Sequence, residues 1–122
     1  MSMEIILADK NACFAPGQTL DGDLVWNFPK APRWLELRLF WYTEGKGTQD
    51  VSVVARQRMD HPSANGNQSF HFSAPHHPPS CSGSLVTIRW ALELVSQDRQ
   101  PPPMVRLVIA PHAREIILRK AD

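Results

Sequence analysis

Residues 86–95 read VTIRWALELV, and their apolar side chains recur at every second position. Ile88 and Trp90 fall on one side of this alternation, whereas Arg89 falls on the other. Successive side chains of a β-strand point to opposite faces of a sheet, so the pattern predicts a strand with one buried face. Residues 91–95 would also suit a short helix, but their alternation favours the strand.

The same period of two recurs on the N-terminal side of this strand. Residues 35–42 read LELRLFWY, and their three leucines and Trp41 alternate with Glu36 and Arg38. Residues 69–73 read SFHFS and alternate in the same way. With the shorter candidates included, the sequence predicts about eight strands. They lie at residues 5–8, 20–26, 35–42, 51–53, 69–73, 86–95, 104–110 and 115–119.

Eleven prolines punctuate the chain, and most of them fall between the predicted strands. Proline has no backbone N–H group, so it is found between strands or on sheet edges. No apolar stripe with helical spacing extends beyond about two turns. The pattern therefore predicts an all-β fold of two packed sheets, with residues 1–122 forming one domain.

Charge and cysteine content narrow the classes of function. Thirteen basic and twelve acidic side chains leave a net charge of +1, which does not favour nucleic acid or anionic lipid as a partner. No apolar run is long enough for a membrane span, and the first residues do not resemble a signal peptide. We expect a cytoplasmic protein in which Cys13 and Cys81 are free thiols, although a bridge between them stays an open alternative.

A resemblance to the arrestin family begins with residues 14–26, FAPGQTLDGDLVW. Arrestin domains open similarly, with an aromatic residue before Pro-Gly-Glu and a glycine inside the next strand. Here Gln18 replaces the usual acidic residue. Pro16 and Gly17 suit a type II turn, because proline fixes φ at the second position and glycine accepts a positive φ at the third. Gly22 would permit a bulge or close packing within the strand.

A second segment, residues 70–92, resembles the same family. An apolar strand ends in proline, a Pro-Ser loop follows at Pro79 and Ser80, and Gly83 leads into a strand centred on Trp90. Cys81 departs from the pattern, because the family often has an aromatic residue there. The resemblance implies an immunoglobulin-like sandwich of seven to eight antiparallel strands. It also implies an adaptor, scaffold or partner-binding role without catalysis.

Aromatic side chains are the first candidate contact residues. Phe40 and Tyr42 lie on the polar side of the alternation in residues 35–42, and Trp34 precedes that strand. If this face is open to water, Phe40 and Tyr42 form an apolar contact site for a protein partner or a second copy, with Trp34 either at its rim or in the core. If a loop covers the face, they are packing residues. An alternative function is the binding of a small ligand or carbohydrate by the same three aromatic side chains.

Catalytic and cofactor signals are weak by comparison. His76 and His77 precede Cys81 in a proline-rich loop, and this set is the one candidate for a metal-dependent enzyme. Ser80 and Ser82 lack the glycine-flanked elbow of a serine hydrolase, and no phosphate-binding glycine motif is present. We therefore predict no cofactor and no enzymatic activity. The expected function is that of a non-catalytic interaction or scaffold module.

Overall fold

A computed structural model describes residues 2–45, 49–83, 85–97 and 101–117 of the chain. Seven strands of six or more residues and three strands of two residues account for most of these residues. The strands are β1 (Ser2–Leu7), β2 (Cys13–Phe14), β3 (Thr19–Asn27), β4 (Trp34–Gly45), β5 (Val51–Asp60), β6 (Asn65–Ser73), β7 (Cys81–Ser82), β8 (Val86–Ser96), β9 (Met104–Ile109) and β10 (Ile116–Ile117). The predicted final strand extends to residue 119, and its last two residues lie outside the described ranges.

The strands form two sheets. The smaller sheet has the order β1-β3-β6 and is antiparallel throughout. The larger sheet has the order β10-β7-β8-β4-β5, with β9 paired to β8 and β2 paired to β9. Only the two-residue pairs β2–β9 and β7–β10 are parallel. The prediction of an all-β sandwich is confirmed, and the short parallel pairs are additions that the sequence did not predict.

The core lies between the two sheets and is built from the apolar side of each alternation. Leu35, Leu37 and Leu39 of β4 are fully buried, and each contributes about 1.5 to 3 kcal/mol by leaving water. Trp90 is also fully buried, with its ring in the same cluster. The remaining buried members are Ile5, Phe14, Leu20, Leu24, Trp26, Phe28, Phe70, Ala74, Leu92, Leu94, Leu107 and Ile109.

The predicted turn after Phe14 is present. The Gln18 amide donates to the Ala15 carbonyl over 3.0 Å, and Gly17 has a φ of 84°, as the third position of a type II turn requires. The Gln18 side-chain oxygen accepts a hydrogen bond from the Ala15 amide at 3.0 Å. The side-chain amide oxygen of Gln18 thus closes the turn, at the position where arrestins carry an acidic residue. The Gly17 amide donates to the Ala74 carbonyl over 2.8 Å, which ties the turn to the end of β6.

The second family-like segment is anchored by Ser80 and Trp90. Ser80 is buried, its hydroxyl accepts a hydrogen bond from the Ile109 amide at 3.0 Å, and its own amide donates to the Ile109 carbonyl over 2.7 Å. The Trp90 indole donates to the Pro78 carbonyl over 2.7 Å. These hydrogen bonds fix the segment to the large sheet on both sides of Pro79, at Pro78 and at Ser80. They also satisfy polar groups that would otherwise be buried without partners.

The structure also resolves the irregular pattern of residues 51–60 and the state of the two cysteines. The alternation in β5 breaks at Val54 because the β4–β5 register shifts there, which is a β-bulge. Cys13 and Cys81 are both free thiols, so the alternative of a bridge between them was wrong. Within the described residues, no helix is long and apolar enough to cross a membrane.

Candidate protein-docking site

Phe40 and Tyr42 lie on the outer face of the large sheet, as the alternation predicts, and Trp34 at the start of β4 has the same parity. Phe40 is only 7% exposed and lies opposite Ala91 on β8, outside the core cluster. Its ring centroid is 5.8 Å from that of Tyr42, which is half-buried. The guanidinium group of Arg58 lies 4.9 Å from the ring centroid of half-buried Trp34. Each of the three rings is thus covered in part by the rest of the chain.

The charged side chains beside these aromatics pair with one another. Arg38 forms ion pairs with Glu36 and Glu93. A carboxylate oxygen of Glu44 lies 3.2 Å from Nε of Arg89 and 3.7 Å from Nη2 of Arg106. The pairs of Glu44 are partly exposed and contribute about 0 to 1 kcal/mol each, whereas Glu36 is buried and needs Arg38 as its partner. Because much of the charge on this face is internally matched, the face has no strong preference for an acidic or a basic partner.

The metal and nucleophile candidates are not brought together. His76 and His77 are exposed on the loop, whereas Cys81 is buried and its backbone pairs with Ile88. In the described ranges, no group of three histidine, cysteine or acidic side chains is placed to hold a metal ion. The Ser82 hydroxyl donates to Glu115 over 2.8 Å, and that of Ser80 is held by a backbone amide.

Strand β1 is one edge of the small sheet, and its pairing with β3 determines which backbone groups are free. In an antiparallel ladder, residues alternate between pointing their N–H and C=O groups at the partner strand and away from it. The Ala8 amide donates to the Asp21 carbonyl over 3.0 Å, so the even-numbered residues of β1 point at β3. Met3, Ile5 and Leu7 therefore direct their N–H and C=O groups outward, where no described strand pairs with them.

An apolar groove runs beside this open edge. It has a volume of about 260 Å³ and is lined by Glu4, Ile5, Ile6, Leu7, Lys10, Ala12 and Val105. Ile6 is 42% exposed, and Met104 at the start of β9 is 47% exposed. A backbone edge that borders an apolar groove is the arrangement that binds an extended segment, because the edge supplies hydrogen bonds and the groove accepts alternate side chains.

The outer face next to this edge is acidic. Glu4, Asp21 and Asp23 have the parity of the exposed side of the small sheet, which also carries the exposed Ile6 and Val25, opposite buried Ile5 and Leu24. The three strands of the small sheet contain no lysine or arginine. A strand added to β1 would thus meet apolar surface on one of its faces and carboxylates beside the other.

The edge at β5 is protected in ways that β1 is not. Natural sheets block unwanted pairing with bulges and charged side chains. Strand β5 has the bulge at Val54, and its exposed side carries Arg56 and Arg58. Strand β1 has no bulge, no proline and a single charged residue, Glu4. Residue patterns did not identify β1 as an open edge, because a strand becomes an edge only through the topology of the whole sheet.

Amide hydrogen exchange should alternate along β1. We expect the amides of Ile5 and Leu7 to exchange at least about tenfold faster than those of Glu4 and Ile6, because only the latter two are bonded to β3. Exchange measured residue by residue by NMR checks this prediction. Uniform protection across the four amides would show that another part of the chain covers the edge.

These two sheets and their order define an arrestin-like β-sandwich. The sporulation control protein Spo0M from Bacillus subtilis shares this fold, and its crystal structure matches 90% of this chain with a TM-score of 0.63. Sequence identity is 17%, so the likeness concerns the fold. The chain covers 49% of Spo0M and thus spans about half of its length. No protein-family model and no curated protein matches the sequence.

Proposed function

We propose that residues 1–122 form one arrestin-like domain that acts as a non-catalytic interaction module and binds an extended segment of a partner protein along β1. The observation that carries this proposal is the row of outward-pointing N–H and C=O groups at Met3, Ile5 and Leu7 beside the apolar groove. Main-chain pairing supplies affinity in such complexes, and the side-chain pockets supply specificity.

The surface around β1 indicates the chemistry of the bound segment. Every second side chain would enter the groove beside Ile5 and Val105, so these positions should be apolar. The intervening side chains would lie next to Glu4 and the acidic face, where lysine or arginine is favoured by charge complementarity. We therefore propose an extended partner segment in which apolar and basic residues alternate.

The proposed setting is a regulatory or scaffold role in the cytoplasm. The free thiols of Cys13 and Cys81 suit a reducing compartment. Spo0M is described as a sporulation control protein, which supports a regulatory role for a domain of this fold. Because a fold does not define a function, the proposal depends on the β1 edge and not on the likeness.

A displayed library of random decapeptides, selected on the purified chain, tests this function. We expect the selected peptides to alternate apolar and basic residues. Met3→Pro removes an outward N–H and places a ring on the edge without breaking a bond to β3, since proline is tolerated where the N–H faces outward. It should weaken peptide binding about tenfold or more, because added-strand affinity comes from main-chain pairing.

Met3→Ala is the matched control for the proline variant. It removes the same side chain but keeps the outward N–H, so its peptide affinity should stay close to that of the unsubstituted chain. Titrations of one selected peptide into the three proteins make the comparison. Equal binding by the proline and alanine variants would exclude main-chain pairing at β1.

A further inference from the structure

Strand β6 is the opposite edge of the same small sheet and also carries free backbone groups. The Ala74 amide donates to the Gln18 carbonyl over 2.9 Å, which establishes that even-numbered residues of β6 are bonded to β3. The odd-numbered residues therefore direct their N–H and C=O groups outward. They are Asn65, Asn67, Ser69, His71 and Ser73, and all five are exposed.

The composition of β6 differs from that of the other two long edge strands, β1 and β5. Its nine residues, NGNQSFHFS, include no lysine, arginine, acidic residue or proline, and its pairing with β3 has no bulge. Strand β5 carries a bulge and two exposed arginines, and β1 carries Glu4. Charges and bulges are the devices that keep sheet edges apart, so β6 has the fewest obstacles to pairing with a copy of itself among the three long edge strands β1, β5 and β6.

We propose that two copies of this chain pair antiparallel through β6, with Ser69 on the two-fold axis. In this register Asn67 lies opposite the partner's His71, and Asn65 lies opposite the partner's Ser73. Each of these facing pairs combines uncharged polar side chains that can hydrogen-bond across the strands. No like charges face each other, which makes the edge self-complementary, as a two-fold interface requires.

In the single chain, two side-chain amides bond to one carbonyl group of this edge, that of Ser69. The Gln57 side-chain amide donates to the Ser69 carbonyl over 3.3 Å, and so does that of Gln68. Both bonds are long, and both come from flexible side chains. A partner strand would replace them with the backbone N–H of the partner's Ser69, which lies directly opposite in the proposed register.

Pairing through β6 would leave β1 unobstructed, because the two strands are opposite edges of one sheet. The dimer would contain a continuous six-stranded sheet that ends in β1 on both sides. The pairing itself does not depend on what β1 binds. If β1 takes up extended segments as proposed above, the dimer becomes bivalent, and a partner with two such segments gains avidity without any new contact.

Sedimentation velocity from micromolar to millimolar protein tests the pairing. The full chain should shift from its 13.8 kDa monomer to twice that mass as concentration rises. Ser69→Asp and Ser69→Lys each place like charges opposite each other on the axis and should weaken dimerisation about tenfold or more. An equimolar mixture of the two variants should recover a heterodimer, because the facing charges are then opposite.

Thr19→Asp is the matched control, because it adds a charge to the same face on the central strand β3, one strand inward from the edge that would pair with the second copy. This variant should dimerise like the unsubstituted chain. A monomer over the whole concentration range would overturn the proposal. Dimerisation of Ser69→Asp at the original strength, or a mixture that stays monomeric, would overturn it equally. None of these outcomes depends on peptide binding at β1.

Discussion

Trp90→Ala is expected to lower the free energy of unfolding by about 5 kcal/mol, because large-to-small changes of a buried Trp cost about 3 to 5 kcal/mol and the Pro78 carbonyl also loses its donor. The side chain is fully buried between the two sheets, and the hydrogen bond to Pro78 is 2.7 Å long. Domains of this size are stable by about 5 to 15 kcal/mol, so the variant should be largely unfolded or close to it. Urea denaturation followed by circular dichroism measures the effect.

Trp90→Phe separates the packing of the ring from its hydrogen bond. Phenylalanine fills most of the same space but cannot donate to Pro78, so we expect a loss of about 1 to 3 kcal/mol. The alanine variant must therefore be clearly less stable than the phenylalanine variant. Equal stabilities would mean that Trp90 does not lie in the core between the sheets.

Gly22→Ala is expected to cost about 3 kcal/mol or more, because overpacking against backbone has no inexpensive relaxation. A Cβ at this position would overlap the Ile6 carbonyl oxygen and lie 3.0 Å from the Leu7 Cα. Strand β1 would have to move away from β3. We therefore expect the variant to lose exchange protection at the amides of Ile6 and Ala8, and to lose peptide binding at the β1 edge.

Gly17→Ala is the control for this substitution. Gly17 has a positive φ but open space around it, so the added methyl group meets nothing and the cost is that of the backbone conformation alone, about 1 kcal/mol. Chemical denaturation of the two alanine variants gives the comparison directly. If both variants lose the same stability, the close approach of β1 to Gly22 is absent.

Much of the fold follows from the period of two in the sequence. The long strands were predicted because burial of one sheet face forces apolar residues onto alternate positions, as in β4 and β8. The Pro16-Gly17 turn was predicted because few residue pairs suit a type II turn. The two-residue strands β2 and β7 were not predicted, since they are too short to show any alternation, whereas β10 lies within the strand predicted at residues 115–119.

The candidate site depends on features that residue patterns do not encode. The alternation placed Phe40 on the outer face, but its burial there depends on surrounding side chains from β8 and from β4 itself. The status of β1 and β6 as edges depends on which strands pair, and pairing is decided by contacts that are distant in sequence. Whether the N–H and C=O groups of Met3, Ile5 and Leu7 point outward then depends on which residues of β1 are hydrogen-bonded to β3.

Amide hydrogen exchange of the complex with a selected peptide tests docking at β1 most directly. If an extended segment adds to this edge, the amides of Met3, Ile5 and Leu7 become protected in the complex, because each then donates to the added strand. The amides of Glu4 and Ile6 should keep the protection they have in the free chain. Rapid exchange at the first three amides in the complex, with new protection on β5 instead, would contradict docking at β1.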